Sequence, residues 1–424
     1  MIRPSWETRL ALLSLSGQAV SYALGIVLAR QLGVAGFESY VVAAAAFILM
    51  VTLVPQGLEK FTLKLVPTLL EHRQHDVLRG FLGFSCRRIL LGSALVGIPV
   101  GLWAWHAQDL HAQTRLGIVI SCVSLPAGAL VHLVLEVLAA SGRAMPATRV
   151  FRLVVPGTVL ALVGLALALS LELHAPAAIA AWGVSWCVAL VLMAWQLRRA
   201  LPPPVYSVAP VVQAERWARE ARPFWAYRVS LAIFAQGGII ALEWGQAPAS
   251  AVGGFAAAFS TAAIAQVLAT ATNRVYASRL SLLLERGDID GIRRLRRERL
   301  RWLAMPLLVY LLVVFTFAPE LIGLFRPEFV ADGAPALRIL AASTALSTVL
   351  AMAPTYLKHR GDNGALFRSV AVAALLQVML LMLLVPRLGA TGAAIACAIA
   401  STLLYGALAH RAHRALGRLQ PPSA

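Results

Sequence analysis

About twelve long apolar runs dominate this chain of 424 residues and limit the folds that it can adopt. Each run is about 20 residues long, the length that an α-helix needs to cross the ~30 Å hydrocarbon core of a bilayer. The composition agrees, because 59% of the residues are hydrophobic and only 13% are charged. Soluble domains average about 45–50% apolar and about 25% charged residues. The runs cover 10–29, 40–63, 85–105, 116–138, 150–171, 176–196, 223–244, 251–272, 302–318, 333–357, 366–385 and 390–409. The sequence therefore predicts an all-α membrane protein with about twelve transmembrane helices.

The net charge of +18 is distributed as a membrane protein requires and does not indicate a nucleic-acid partner. An even number of helices places both termini on one side, and successive loops then alternate between the two sides. Nearly all Lys and Arg residues then lie on the side of the termini. Arg228 lies inside a helix, and five arginines lie in the opposite loops: Arg30, Arg115, Arg326, Arg338 and Arg387. Because positive loops stay in the cytoplasm, we expect both termini to be cytoplasmic.

An internal repeat relates the two halves of the chain. "QGLEKFTLKLVPTLLEHRQHDVLRG" (56–80) aligns with "TATNRVYASRLSLLLERGDIDGIRR" (270–294). The polar matches carry this alignment, and Lys60 falls opposite Arg274. Repeats in the same orientation are typical of one class of secondary transporters.

The repeat predicts two six-helix lobes, at 1–197 and 221–424, related by parallel internal symmetry. Between them, 198–220 is the longest hydrophilic stretch and contains a Pro-Pro-Pro run. Because proline opposes a regular helix, we expect this stretch to be an extended cytoplasmic linker.

Three stretches resemble a known family. "LARQLGVAGFESYVVAAAA" (28–46), "LFRPEFVADGAPALRILAASTALSTVLAMAPTYLKHRGDNGALFRS" (324–369) and "LLVPRLGATGAAIACAIAS" (383–401) are similar to loops and helices of Wzx-type polysaccharide flippases. These flippases belong to the multidrug/oligosaccharidyl-lipid/polysaccharide (MOP) exporter superfamily. The resemblance implies two six-helix lobes around a central cavity, which is often cationic.

The resemblance also implies a function. The protein would export polyprenyl-diphosphate-linked oligosaccharide across the bacterial inner membrane by alternating access, for surface polysaccharide biosynthesis. We expect no enzymatic activity, no cofactor and no metal. We expect a monomer in contact with membrane lipids, working with polysaccharide polymerase and chain-length machinery.

Ionisable groups at membrane depth are candidates for function, because each costs about 2.5–3.5 kcal/mol on insertion scales. A diphosphate would gain from a cluster of cations, since a low dielectric strengthens charge-assisted hydrogen bonds. Alternatively, such cations end their helices and extend to the inner headgroups. The candidates for a cationic cavity are Arg30, Lys60, Lys64, Arg228 and Arg274.

Acidic groups and one histidine in the same runs are candidates for proton or ion coupling. Glu59 precedes Lys60, but adjacent helical residues do not face each other. His132 and Glu136 lie one turn apart, so they form either a proton relay or a structural hydrogen bond. Glu243, near the outer end of the seventh helix, is either a coupling group or an interfacial anchor.

Two other functions compete with the flippase. A membrane-embedded glycan polymerase or ligase would carry a large outer loop, and the outer loops here are short. A multidrug exporter of the same superfamily would share the fold and would suit cationic drugs with an acidic cavity. ATP is not the direct energy source within this chain, because none of its three lysines (Lys60, Lys64, Lys358) follows glycine as a Walker A loop requires.

The charge bias predicts the result of a reporter-fusion experiment. Fusions after Arg199 and after Arg418 should both report the cytoplasm, because basic segments resist translocation. A reporter that is active only outside the membrane provides the readout. An outer location at either site would overturn the topology.

Overall fold

The structure, a computed structural model, describes residues 6–360 and 362–417. Side chains fall outside the description at 6–12, 270, 271, 274, 275, 277, 278 and 417. Helices occupy nearly all of the described chain, and no strand occurs within it. The predicted all-α class is confirmed.

Two compact units divide the described chain, and the first is Ser16–Gln236. A π-helical turn at Val150–Val154 joins two of its helices. The start of α1 and the end of α9 belong to the second unit. The helices of this part of the chain are α1 (Trp6–Leu53), α2 (Leu58–Glu71), α3 (His75–His106), α4 (Ala112–Ala140), α5 (Ala144–Arg149), α6 (Val155–Ala168), α7 (Ala175–Ala200), α8 (Pro204–Ser207) and α9 (Ala214–Trp244).

The second unit consists mainly of the chain from Gly237 onward. A 3₁₀ turn at Pro327–Phe329 connects its third and fourth helices. The helices are α10 (Ala249–Ala262), α11 (Ile264–Glu285), α12 (Ile289–Gly323), α13 (Val330–Leu350), α14 (Met352–His359) and α15 (Asn363–Gly417).

Ten described helical segments are long and apolar enough to cross a membrane. Two of them contain a glycine with left-handed backbone, Gly33 in α1 (φ 73°) and Gly389 in α15 (φ 52°). Glycine adopts such φ values without the steric penalty that a Cβ imposes. Each piece beside these breaks has about 20 residues or more, enough for one crossing. The ten segments therefore supply twelve stretches of spanning length, as the sequence predicts.

The second predicted helix, 40–63, is wrong as a single element. The chain leaves the helix after Leu53, and Gln56 (φ 52°) and Gly57 (φ 81°) both take left-handed backbone. A separate helix, α2, then starts at Leu58. The predicted eighth helix, 251–272, is also interrupted, at Ala263. Both breaks fall inside runs that are apolar over most of their length, so hydropathy alone does not locate them.

The inner turn of the repeat is built twice with the same geometry. The first turn separates α2 from α3 and the second separates α11 from α12. Each turn has one residue with left-handed backbone at equivalent positions, Arg73 (φ 53°) and Gly287 (φ 64°). In each, the next amide donates to a carbonyl five residues earlier: Gln74 to Leu69 at 2.9 Å, and Asp288 to Leu283 at 3.0 Å. The aligned charged stretches therefore form equivalent turns.

The units divide at Gln236, inside α9, whereas the sequence predicts a boundary at 198–220. Trp217 explains the difference, because its side chain is fully buried. The rings of Phe81 and Phe84 on α3 lie 5.4 and 5.5 Å from it, centroid to centroid. This aromatic contact attaches most of α9 to the first unit. The predicted linker is ordered around the short helix α8 and ends where α9 begins.

Gly57 sets the approach of α2 to α9 and is the basis of a stability prediction. A Cβ there would lie 2.4 Å from the carbonyl oxygen of Ala221 and 2.6 Å from the amide nitrogen of Trp225. The left-handed backbone alone costs an alanine about 1–2 kcal/mol. We therefore expect Gly57→Ala to lower the melting temperature of the detergent-solubilised protein.

Gly83→Ala is the matched control, because Gly83 on α3 has open space around its Cβ position. Alanine is favoured over glycine inside a helix by about 0.5–1 kcal/mol, so this variant should be as stable as the parent. An equal loss of stability in both variants would contradict the role given to Gly57.

Candidate functional site

The break before α2 brings two charged residues into the first unit. Glu59 and Lys60 occupy the first turn of α2, which begins at Leu58 directly after Gly57. Because adjacent helical residues point in different directions, the two side chains contact different helices. Glu59 faces α9, and Lys60 faces α4.

Glu59 is a buried carboxylate paired with a cation. Glu59 is only 1% exposed to solvent. Its Oε1 lies 3.5 Å from the Nε of Arg228. Neither carboxylate oxygen accepts a hydrogen bond from the residues that the structure describes. Moving an isolated carboxylate out of water costs several kcal/mol unless a partner compensates it. Arg228 supplies that compensation.

Lys60 forms the second pair of the cluster. Its Nζ donates a hydrogen bond to Oε1 of Glu136 on α4. Both side chains are more accessible than Glu59, at 31% for the lysine and 14% for the glutamate. Glu136 therefore pairs with Lys60. The ring of His132, the other residue of the predicted relay, packs against aromatic rings instead. We call Glu59, Lys60, Glu136 and Arg228 the charge cluster.

His132 belongs to an aromatic wall. Its ring lies 5.3 Å from that of Phe151 and 5.9 Å from that of Trp186, between centroids. Trp182 continues the wall, 6.0 Å from Trp186, and its indole donates a 2.8 Å hydrogen bond to the hydroxyl of Tyr40. The wall is therefore largely apolar. The indole nitrogen of Trp186 is buried and has no hydrogen-bond partner among the described residues.

A cavity of about 380 Å³ lies within the first unit, against this wall. We call it the first-unit cavity. Arg152 and Arg228 both line it, as do His132 and hydroxyl groups of Ser121 and Ser124. No Asp or Glu occurs among the described residues that line it. The cluster therefore presents Arg228 to the cavity while its partner Glu59 lies behind it.

Sequence reasoning missed Arg152, which it left inside the fifth apolar run. The residue lies in the π-helical turn Val150–Val154, and such turns occur often at functional sites. Its guanidinium lies 5.7 Å from the ring centroid of Phe151. Gly17 on α1 allows the close approach of this turn, since a Cβ there would lie 2.6 Å from the carbonyl oxygen of Arg152. The flanking prolines 146 and 156 were the available signal of an irregular helix.

The remaining predicted residues lie elsewhere. Arg30 is exposed on α1, three residues before the break at Gly33. Lys64 is exposed and lies 3.4 Å from Oε2 of Glu220. Glu243 is half-buried at the end of α9, in the second unit. The side chain of Arg274 lies outside the described residues, so its predicted equivalence to Lys60 stays a prediction.

The ion pair between Glu59 and Arg228 predicts that substitutions of the two residues have non-additive effects on stability. Glu59→Gln leaves a partly buried guanidinium without its counter-charge, and breaking a buried pair costs about 3–5 kcal/mol. The double variant Glu59→Gln/Arg228→Gln removes both charges and should recover much of the lost stability. Thermal unfolding of the purified protein measures both effects.

Lys64→Gln is the control for this experiment, because its exposed pair with Glu220 should contribute only about 0–1 kcal/mol. Additive losses from Glu59→Gln and Arg228→Gln in the double variant would show that the two side chains do not interact.

Comparison with known proteins supports the fold. No protein-family model matches the sequence, and no curated protein does. Among solved structures, an inward-facing multidrug resistance MATE family transporter of the MOP superfamily is similar, with a TM-score of 0.74, 16% identity, and coverage of 98% of this chain and 100% of that one. An outward-facing structure of a multidrug resistance MATE family transporter is similar with a TM-score of 0.63 and 16% identity. The match covers 97% of this chain and 96% of that one. A third similar structure is a MOP superfamily transporter from Pyrococcus furiosus, described as having a binding pocket of reversed polarity. Its TM-score is 0.64 at 16% identity, and the match covers 98% of this chain and 96% of that one. This chain therefore has the fold of the MATE transporters of the MOP superfamily.

Proposed function

We propose that this chain is a transporter that exports polyprenyl-diphosphate-linked oligosaccharide across the bacterial inner membrane by alternating access, for surface polysaccharide biosynthesis. The observation that supports this most strongly is the lining of the first-unit cavity. It combines two arginines with an aromatic wall, and no carboxylate occurs among its described lining residues. Such a cavity suits an anionic headgroup joined to sugars.

The two arginines match the chemistry of a diphosphate. A guanidinium donates paired hydrogen bonds to phosphate oxygens, and charge-assisted bonds are about twice as strong as neutral ones. Arg228 and Arg152 would bind the diphosphate, while the faces of Trp182 and Trp186 would pack against an adjoining sugar ring. A volume of about 380 Å³ accommodates the headgroup region and leaves the rest of the glycan and the lipid outside.

Glu59 helps the site to release its ligand. Because Arg228 is already paired with this carboxylate, an incoming phosphate competes with a resident anion instead of meeting an uncompensated charge. Binding is therefore moderated, as a transport cycle requires. The pair also lowers the cost of holding Arg228 in a low dielectric when the cavity is empty.

The charge cluster is also where we place energy coupling. Protonating Glu59 or Glu136 would free Arg228 or Lys60 from its partner, so an ion gradient could alter the affinity for an anion. His132 lies beside this region, and Glu243 remains a candidate in the second unit. The predicted cytoplasmic termini, the monomeric state and the interaction with polymerase and chain-length machinery belong to the same proposal.

Multidrug export is the second candidate. The aromatic wall would accept apolar drugs, and the similar solved structures include multidrug resistance transporters. Arginines in the cavity lining, however, repel the cationic drugs that such a wall would otherwise favour. The charge of the transported molecule therefore separates the two candidates.

A reconstituted flipping assay tests the proposal. The protein is placed in proteoliposomes with a fluorescent polyprenyl-diphosphate oligosaccharide, and its transfer between leaflets is measured. We expect Arg152→Gln, and separately Glu59→Gln/Arg228→Gln, to reduce transfer at least about tenfold, because each removes a charge-assisted contact worth about 1.5–3 kcal/mol.

Lys64→Gln/Arg216→Gln is the surface control. It removes more positive charge than either cavity variant, but both of its cations are exposed and contact Glu220. This variant should retain transfer. Full transfer in the cavity variants would overturn the proposal. Transport of a cationic dye that increases when the arginines are removed would favour multidrug export instead.

A further inference from the structure

A second cationic surface lies outside the first-unit cavity, between α3 and α9. Two adjoining cavities of about 300 and 400 Å³ share Arg88, Ala218 and Arg222 as lining residues. Arg219 borders one of them and Trp225 the other. We call this surface the arginine groove.

The positive charge of the arginine groove is largely uncompensated. Arg88, Arg219 and Arg222 line it together with one acidic residue, Glu215. No ion pair joins any of these arginines to another residue in the described part of the chain. Arg216, by contrast, lies 3.0 Å from Glu220 on the same helix. The groove therefore carries net positive charge that an anionic ligand could neutralise.

Arg88 is held in position for such a ligand. Its Nε donates a 2.7 Å hydrogen bond to Oε1 of Gln56, and its guanidinium lies 5.6 Å from the ring centroid of Phe84. These contacts fix the plane of the guanidinium and leave its terminal nitrogens for other acceptors. Little side-chain entropy would be lost when an anion binds.

The surroundings of the groove fit the boundary between headgroups and hydrocarbon. Trp225 is partly exposed and its indole donates to the carbonyl of Leu53 at 2.9 Å, as is common for tryptophan at membrane interfaces. Leu91 and Leu95 lie three and seven residues after Arg88, on the same side of α3, and are 61% and 75% exposed. A molecule with an anionic head and an apolar tail would contact all of these residues.

We propose that the arginine groove binds the phosphate-bearing headgroup of an anionic membrane lipid, with an acyl chain along Leu91 and Leu95. Basic pockets of this kind beside transmembrane helices bind anionic headgroups, and each Lys or Arg near the surface contributes about 1 kcal/mol. The groove is separate from the first-unit cavity, since none of its three arginines lines that cavity. Lipid binding here does not depend on the proposed transport.

Native mass spectrometry of the full chain, with titrated lipids, tests the proposal. The probes are phosphatidylglycerol and phosphatidylcholine with identical acyl chains, so that only headgroup charge differs. The variant is Arg219→Gln/Arg222→Gln, which changes two exposed side chains. We expect its affinity for phosphatidylglycerol to fall about tenfold to thirtyfold, with phosphatidylcholine unaffected.

Arg297→Gln/Arg301→Gln, with two exposed arginines of α12 in the second unit, is the charge-matched control. It should bind phosphatidylglycerol as the parent does. The proposal would be overturned if both variants lost affinity for phosphatidylglycerol equally, or if neither variant lost affinity. In either case the groove arginines would not be responsible for lipid binding.

Two competitors identify the source of the phosphate. Inorganic phosphate at millimolar concentration should not displace phosphatidylglycerol, and displacement would show a site for free anions and not for lipid. Displacement of phosphatidylglycerol from the parent by a polyprenyl diphosphate would support the groove as a site for phosphate-bearing lipid headgroups.

Discussion

The pairing of a buried carboxylate with a guanidinium, Glu59 with Arg228, is the interaction on which the first unit depends. In a low dielectric, either charge alone would carry a desolvation cost of several kcal/mol. The pair forms only because the chain breaks at Gln56 and Gly57 and restarts as α2 against α9. The glycine, the helix break and the ion pair are therefore three parts of one arrangement.

This arrangement also determines which charge reaches the cavity. Arg228 lines the first-unit cavity, and the carboxylate that balances it is buried behind. Lys60 and Glu136 balance each other nearby. The four residues of the charge cluster are therefore neutral as a group, while Arg228 faces the cavity. In the proposed transport, this arrangement would bind an anion without trapping it.

The first unit has two separate groups of cationic side chains. Arg152 and Arg228 line the cavity among aromatic rings, while Arg88, Arg219 and Arg222 lie in the arginine groove. The two sets differ in their neighbours. The cavity arginines lie beside an aromatic wall, and the carboxylate of Glu59 is buried behind Arg228. The groove arginines lie near Glu215, exposed leucines and a tryptophan. On these contrasts we base the separate proposals of transport through the cavity and lipid binding at the groove.

The sequence by itself determined the helical membrane class, the number of spanning stretches and the repeated inner turn. Apolar length and the spacing of charged residues follow directly from bilayer thickness, and the left-handed Arg73 and Gly287 lie where the alignment of 56–80 with 270–294 requires. Sequence reasoning also selected Glu59, Lys60, Glu136 and Arg228, because each is an ionisable group in or beside an apolar run.

Only the tertiary structure decided how these groups pair and what they line. The partner of Lys60 is Glu136 on α4 and not its neighbour in sequence, Glu59. Arg152 lines the cavity from a π-helical turn that the sequence did not predict. Hydropathy does not register such features, because a break or a π turn leaves the apolar pattern almost unchanged. Which residues meet depends on backbone direction at a few positions such as Gly57, and on close packing between helices distant in sequence.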